Sequence, residues 1–262
     1  MGSLIEKLEN ICELIHFDAT CSTQSEAKKW LEQNRATRPL LFNTFKQTKG
    51  FGRYDRTWWS GQGSLSFSIV LPFDKSLFQF PVTLMIGLSI IKSLEKTSVI
   101  DTLEIRWPND IYHKNKKLGG ILTEKISDVS GRDILLIGVG LNINNSSSLA
   151  PPDLKNKIIS ISEIINKEIP LDDVLVCIVK DILFELNEPC DIDTILIDFK
   201  VRDNLIGSYI SIVTGENKQY EGEYSGIDKR GGLVLKKGSR YEHFYSIISI
   251  EKIDTIDHSF LH

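Results

Sequence analysis

Residues 106–120 read RWPNDIYHKNKKLGG, and what this stretch builds decides how the rest of the chain is read. Pro108 stops the extended run that begins at Leu103, because proline donates nothing to a strand ladder and holds its own φ. Pro-Asn-Asp is turn chemistry, so Asn109 and Asp110 stand at a strand end. Beyond them, apolar arms flank the charged tip HKNKK. That is expected hairpin chemistry, although no Asn-Gly pair fixes the turn type. The return arm delivers Lys117 just ahead of Gly119 and Gly120, which lack side chains to block close approach. This topology can place an amide, a carboxylate and an ammonium around one pocket. Taken alone, the stretch also reads as a turn followed by a surface lysine beside a glycine bulge.

Working outward, GVGLNIN (138–144) continues a strand into glycines and Asn142. SLSFSIVLP (64–72) opens with polar–apolar alternation and reads as a strand, as do PLLFNTF (39–45) and the short apolar run 14–17. A helix follows that run, with Ser25 as its expected cap and Ala27, Trp30 and Leu31 along one face. PVTLMIGLSIIKSLEK (81–96) is apolar on most sides, so it predicts a buried helix. Two further helical patterns cover roughly 171–187 and 193–202. After Arg202 the texture changes to short β-rich runs punctuated by glycine at 207, 215, 222, 226, 231, 232 and 238. This predicts a small antiparallel barrel or sheet of about five strands and a domain boundary near residue 203.

Residues 47–60 read QTKGFGRYDRTWWS. Gly50 and Gly52 let backbone N–H groups approach a ligand. Arg53 and Arg56 carry forked donors suited to carboxylate or phosphate, and Trp58 and Trp59 are placed to cover a ligand and exclude water. A solvated basic loop anchored by tryptophans is the plainer reading of the same residues.

The chain has 262 residues and a net charge of −4, which disfavours broad binding to nucleic acid or anionic membrane through bulk charge. The basic residues cluster, however. Lys46, Lys49, Arg53 and Arg56 face one acid, Asp55, and Arg106, Lys114, Lys116 and Lys117 likewise face only Asp110. Two cationic islands on an acidic protein suit a small anionic ligand. With 41% hydrophobic and 25% charged residues, the composition suffices for a globular core. Cys12, Cys21, Cys177 and Cys190 show no CxxC spacing, so reduced thiols are expected and neither a disulfide framework nor a zinc site is supported. No signal peptide is evident, Glu6 breaks the myristoylation pattern, and no apolar run has membrane-spanning length. A cytoplasmic protein is expected.

Taken together, and in this order, the three stretches resemble the catalytic domain of biotin–protein ligases. The loop is similar to that family's G-x-G-R-x-x-R-x-W, here Gly50 to Trp58. W-P-N-D spans Trp107 to Asp110, with ten residues from the tryptophan to the lysine of K-L-x-G, Lys117, and G-x-G-x-N ends at Asn142. Ser22-Thr23-Gln24 is similar to an upstream S-T-N, and Gln47 to the glutamine ahead of the loop. The resemblance runs from about residue 14 to the C-terminus, with YSGIDKRGGL the best match in the tail.

It implies an α+β fold with a mixed or antiparallel central sheet flanked by helices, similar to class II synthetases. Residues 1–202 would form the biotin/ATP-binding catalytic domain, and residues 203–262 a small SH3-like β domain. The implied reaction activates biotin with ATP to biotinyl-5′-AMP, releasing pyrophosphate, then transfers biotin to a lysine of a biotin carboxyl carrier protein. By resemblance Lys117 would bridge the biotin carboxylate and the α-phosphate, Arg53 would clamp that phosphate, and Asp110 would orient or deprotonate the incoming lysine. Ser22, Thr23, Gln24, Gln47, Gly50, Phe51, Gly52 and Gly120 would join Arg53 and Lys117 around biotin. Arg56, Trp58, Asn109 and Asn142 would sit with them on the nucleotide side, where Mg2+ would arrive with ATP.

Two positions depart from the family's pattern. Phe51 stands where bacterial members often carry arginine, which removes one cationic contact, and Gln24 stands where asparagine is usual. The helix-turn-helix that begins some relatives has no counterpart before the first strand, so no DNA partner is expected. No membrane partner is expected either, and a homodimer stands as an option. Three alternatives are a lipoate or octanoate ligase or transferase of the same fold, a non-catalytic biotin-binding sensor, and a nucleic-acid role for the small β domain. The R-R-x-S-G-G-G-type stretch usual in lipoate relatives is not found, and the basic residues of the β domain are balanced by acids.

Overall fold

The computed structural model describes residues 2–72, 80–98, 100, 102–188 and 191–253. Cys190 and the last nine residues of the expected C-terminal domain lie outside them. In chain order come α1 (Gly2–Leu8), β1 (Glu13–Phe17), α2 (Thr23–Gln33), β2 (Leu40–Thr44), β3 (Gly50–Phe51), β4 (Thr57–Trp58) and β5 (Ser64–Pro72). Next are α3 (Val82–Ser98), β6 (Glu104–Arg106), β7 (Asp110–His113), β8 (Lys116–Ser127), β9 (Asp133–Asn142), α4 (Ile161–Ile165), α5 (Leu171–Asn187) and α6 (Ile192–Arg202). The chain then forms β10 (Tyr209–Val213), β11 (Gln219–Ile227), β12 (Leu233–Lys237), β13 (Arg240–Phe244) and β14 (Ser249–Lys252).

Seven strands form one sheet in the order β1-β2-β5-β9-β8-β7-β6. β1 runs parallel to β2, and the remaining neighbours are antiparallel. Period-2 alternation sorts its central strands onto two unlike faces. On one face Leu65, Phe67 and Ile69 of β5 and Leu135, Ile137, Val139 and Leu141 of β9 join the main core beneath α3 and α5. On the other face Val70, Ile134 and Leu136 pack under Ala27 and Leu31 of α2. Farther along that second face the sequence offers only Ser66, Ser68, Gly138 and Gly140. The sheet is thus apolar where α2 covers it, and bare and polar beyond. α3 was expected to be buried, and eleven of its seventeen residues are.

Two details differ from the sequence reading. The cap of α2 is Ser22, whose Oγ accepts from the Ser25 N–H at 3.4 Å. Ser25 itself lies inside the helix and is a donor, because the chain is still extended at Ser22 and turns helical at Thr23. α1 was not anticipated: it is short and has no capping signal, yet Leu4 and Leu8 reach the main core. The β7–β8 hairpin turns on Lys114 and Asn115, both left-handed (φ 47 and 66), which is the type I′ pattern that fits a two-residue hairpin.

The five C-terminal strands form an antiparallel sheet in the order β13-β12-β11-β10-β14, as expected of an SH3-like unit. Its Ile210, Ile212, Leu233 and Leu235 belong to the same core as the helices. Trp107 Nε1 donates to the Gly231 carbonyl at 2.9 Å, and Arg106 Nε donates to Asn204 Oδ1 at 2.7 Å. Among the described residues no helix is long and apolar enough to cross a membrane.

Asp203 sits at this junction, buried, with Oδ1 accepting from the Leu205 N–H at 3.0 Å. Burial pushes its carboxyl up to about 6, against the opposing pull of the Tyr224 hydroxyl and the Leu205 N–H. A raised value means the folded state favours the protonated acid. That contribution is therefore full below the ordinary range near 4 and is lost as pH rises through about 6. Asp203→Asn retains the acceptor and removes the charge. It is expected to be more stable than wild type at pH 8 by on the order of 1–3 kcal/mol, with the difference shrinking to near zero at pH 4. Thermal melts at the two pH values check this, and an equal offset at both would show that the carboxyl does not titrate in that window.

Candidate active site

A cavity of about 220 Å³ opens on the bare end of the sheet. Its floor is Ser68 of β5, Gly120 of β8 and Gly138 and Gly140 of β9. Ser22, Thr23 and Gln24 at the start of α2 form one wall together with Gln47. Phe51, Gly52, Arg53, Arg56 and Trp58 cover it from the loop that joins β3 to β4, while Asn109, Asp110 and Lys117 close the end beneath β7 and β8. Both cationic islands therefore meet at one cavity.

Lys117 reaches that cavity because of a bulge. Asp110 and Ile111 pair with Gly120 and Gly119, but Tyr112 pairs with Lys117, so Leu118 is the extra residue. In an unbroken register Lys117 would oppose His113 and face the other side of the sheet. The bulge turns it onto the Asp110 face and leaves Leu118 fully buried. Its position is held from behind, since the Lys117 N–H donates to Lys157 O and Lys117 O accepts from the Ile159 N–H. The ammonium pairs with Asp110 Oδ1 at 2.8 Å and lies 5.8 Å from the Trp58 ring centre. A Cβ on Gly120 would come within 3.3 Å of Asp110 Oδ1 and 3.5 Å of Lys117 Nζ, so the glycine makes room for the pair.

Trp58 lies flat on the sheet. A Cβ on Gly140 would sit 2.5 Å from Trp58 Cε2, which only glycine avoids. Its indole N–H is buried with no hydrogen-bond partner among the described residues, a donor left over beside the ammonium. Burial pushes the nearby Tyr112 phenol up, Asp110 adds to the effect, and Arg106, stacked 3.9 Å from the ring centre, opposes it.

At the opposite end of the cavity the polar side chains are interlocked. The Thr23 N–H donates to Gln47 Oε1 at 3.0 Å. Ser68 Oγ lies 2.9 Å from Thr23 Oγ1 and donates to Gln24 Oε1 at 2.9 Å. Gln24 Nε2 donates to Glu124 Oε2 at 2.8 Å, and Glu124 Oε1 takes a hydrogen bond from Lys28 Nζ at 2.8 Å. Lys28 also lies 5.8 Å from the centre of the Phe51 ring, so an ammonium from α2 stands beside the position where the sequence shows no arginine.

Two residues assigned to the site from sequence stand off the cavity, and a third lines it with its amide already engaged. Asn142 is buried and off the cavity, accepting from Asn145 Nδ2 at 3.0 Å with its own amide 3.5 Å from Lys117 O. It braces the strand behind the lysine. Asn109 lines the cavity, but its amide N–H is committed to Ile121 O at 2.8 Å. Gly50 is buried beneath Gln47 and Trp58 and does not line the cavity. The arginines are also engaged. Arg53 Nη2 and the Tyr54 hydroxyl donate to Ile247 O at 3.1 and 2.9 Å, and Arg56 Nη2 donates to Ile248 O at 3.0 Å. The loop is thereby tied down on the segment leading into β14, across two consecutive left-handed residues, Tyr54 and Asp55 (φ 55 and 56). Such backbone costs on the order of 1–2 kcal/mol per residue, which these bonds offset.

Sequence reasoning counted Arg106 in a cationic island without giving it a site role, and it missed Tyr112, Ser68, Glu124, Lys28 and residues 247–250. Alternation along β8 carries the signal for Glu124, since Gly120, Leu122 and Glu124 share a face. Nothing local marks 247–250.

Residues 17–144 match the model of the Biotin/lipoate A/B protein ligase family. Over 242 residues the chain is 29% identical to the bifunctional ligase/repressor BirA of Bacillus subtilis, covering 89% of this chain and 72% of that protein. It is 28% identical over 202 residues to the BirA of Escherichia coli, covering 73% of this chain and 60% of that protein. Among solved structures, the biotin protein ligase from Aquifex aeolicus in complex with biotin and ATP superposes with a TM-score of 0.79 at 26% identity, covering 92% of this chain and 99% of that one.

Proposed function

We propose that this chain, whose residues 17–144 match the model of the Biotin/lipoate A/B protein ligase family, is an ATP-dependent biotin–protein ligase acting in the cytosol on a biotin carboxyl carrier domain. Residues 1–202 would carry the biotin and ATP chemistry and residues 203–262 the small SH3-like unit. The observation that supports this reading best is the convergence of Lys117, Arg53 and Arg56 from distant elements on one cavity whose other end is lined with amides and hydroxyls.

The first step brings a carboxylate against the α-phosphate. The carboxylate oxygen bonds to phosphorus, the bond to the β-phosphate oxygen breaks, and pyrophosphate leaves. Two anions must be held together, so the protein's part is positioning and cationic stabilisation. Lys117, paired with Asp110, would turn its ammonium toward the carboxylate and phosphate. Arg53 and Arg56 would exchange their carbonyl partners for phosphate oxygens, and the Trp58 N–H is a donor with no partner among the described residues. Mg2+ would enter as part of the ATP substrate.

In the second step a lysine amine of the carrier attacks the acyl carbon, AMP leaves, and the amine's proton is lost. Asp110, relieved of Lys117, would orient or accept from that amine. The covering loop with Trp58 would keep water from the mixed anhydride.

Exchange of labelled pyrophosphate into ATP tests the assignment. Exchange that depends on biotin and is absent with lipoate or octanoate is expected, followed by AMP release when a carrier domain is added. Exchange driven by lipoate and not by biotin would assign the chain to the lipoate branch. Biotin binding without any exchange would make it a sensor.

A further inference from the structure

We propose that Glu124, held by Lys28, is the positioning residue that fixes which way the Gln24 amide faces, and so sets the donor–acceptor edge that selects the ligand's head group. The proposal rests on the biotin-ligase reading and deepens it.

The oxygen and nitrogen ends of a glutamine amide are nearly the same size, so its partners alone decide its orientation. Ser68, fully buried, lies on the Oε1 side at 2.9 Å, but a hydroxyl donates or accepts and dictates nothing by itself. A carboxylate only accepts. Glu124 at 2.8 Å therefore requires the NH2 end to face it, and Ser68 is then obliged to donate to the oxygen. Lys28 offers only donors and holds Glu124's other oxygen at 2.8 Å, leaving Oε2 for Gln24. A Cβ on Gly138 would lie 2.5 Å from Gln24 Oε1, so the amide is pressed onto the strand with little freedom to swing.

With these bonds made, Gln24 retains one N–H and one lone pair on a residue that lines the cavity. That edge pairs with a cyclic urea, whose adjacent C=O and N–H accept and donate together. A head group without amide chemistry, such as a lipoyl or octanoyl chain, would leave both unmet in a buried setting, which is how polar sites reject apolar analogues.

Glu124→Gln keeps the shape but lets residue 124 donate as well as accept, so the orientation is no longer dictated. Isothermal titration of the full chain with biotin is expected to show Kd raised about tenfold. The ATP KM in pyrophosphate exchange at saturating biotin should stay within about twofold, and Tm should be nearly unchanged. Lys28→Met, which leaves the carboxylate present but unheld, is expected to raise the biotin Kd about threefold. A folded Glu124→Gln chain that binds biotin as wild type does overturns the proposal while the ligase reading stands. Loss of ATP and biotin affinity together overturns it in favour of a merely structural role. A wild-type chain that binds no biotin overturns the underlying reading itself.

Discussion

Lys117→Ala is expected to lower biotin-dependent pyrophosphate exchange a hundredfold or more, in a chain that still folds. Removing one preorganised charge stabiliser typically costs about 10²–10³ in rate, and this ammonium is the only one among the described residues paired with the cavity carboxylate. The fold should survive because the side chain is about 29% exposed and the backbone bonds to Lys157 and Ile159 remain. Asp110 keeps a side chain about 23% exposed on the cavity, and the space the lysine vacates opens its buried Oδ1 to water. Lys117→Arg separates charge from shape: the guanidinium is a wider, planar fork, so partial recovery is expected and full recovery is not. Exchange rates and circular dichroism on the two variants check the prediction, and near-normal exchange in the alanine variant would remove the lysine from the chemistry.

Trp107→Ala is expected to cost about 3–5 kcal/mol in stability, the range for emptying a buried aromatic site. Trp107 is 3% exposed and sits in the core shared by the two sheets, where its indole N–H bonds the Gly231 carbonyl. The loss should appear as a lower Tm and as earlier release of the C-terminal strands in hydrogen exchange. Trp107→Phe keeps most of the volume and drops the bond, so about 1 kcal/mol of penalty is expected there. A Trp107→Ala melt within a degree of wild type would mean that the contact between the sheets carries little of the stability.

Much of the architecture was legible along the chain, because alternation and turn chemistry are local. The strand at 64–72 and the helix at 171–187 agree with β5 and α5 to the residue. The alternation that opens 64–72 and the glycines of 138–144 were legible separately, but that Ser66, Ser68, Gly138 and Gly140 share one bare face follows only from the pairing of β5 with β9. The cap of α2 was misplaced by three residues, because two serines there carry equivalent local signals and only the burial of Thr23 and Gln24 separates them. α1 left no signal, since its two buried leucines are too few to show a period.

What the residues settled by themselves was the menu of groups: two cationic loops, a carboxylate, a polar serine–threonine–glutamine run, and glycines where ligand or indole must approach. What only tertiary structure decided was which of them face one another. A one-residue bulge at Leu118 turns Lys117 into the cavity, Glu124 dictates an amide a hundred residues away in sequence, and two carbonyls before β14 restrain the arginines of the loop. Strand register and contacts across such separations depend on how whole faces pack, a property of the folded sheet that no window of sequence contains.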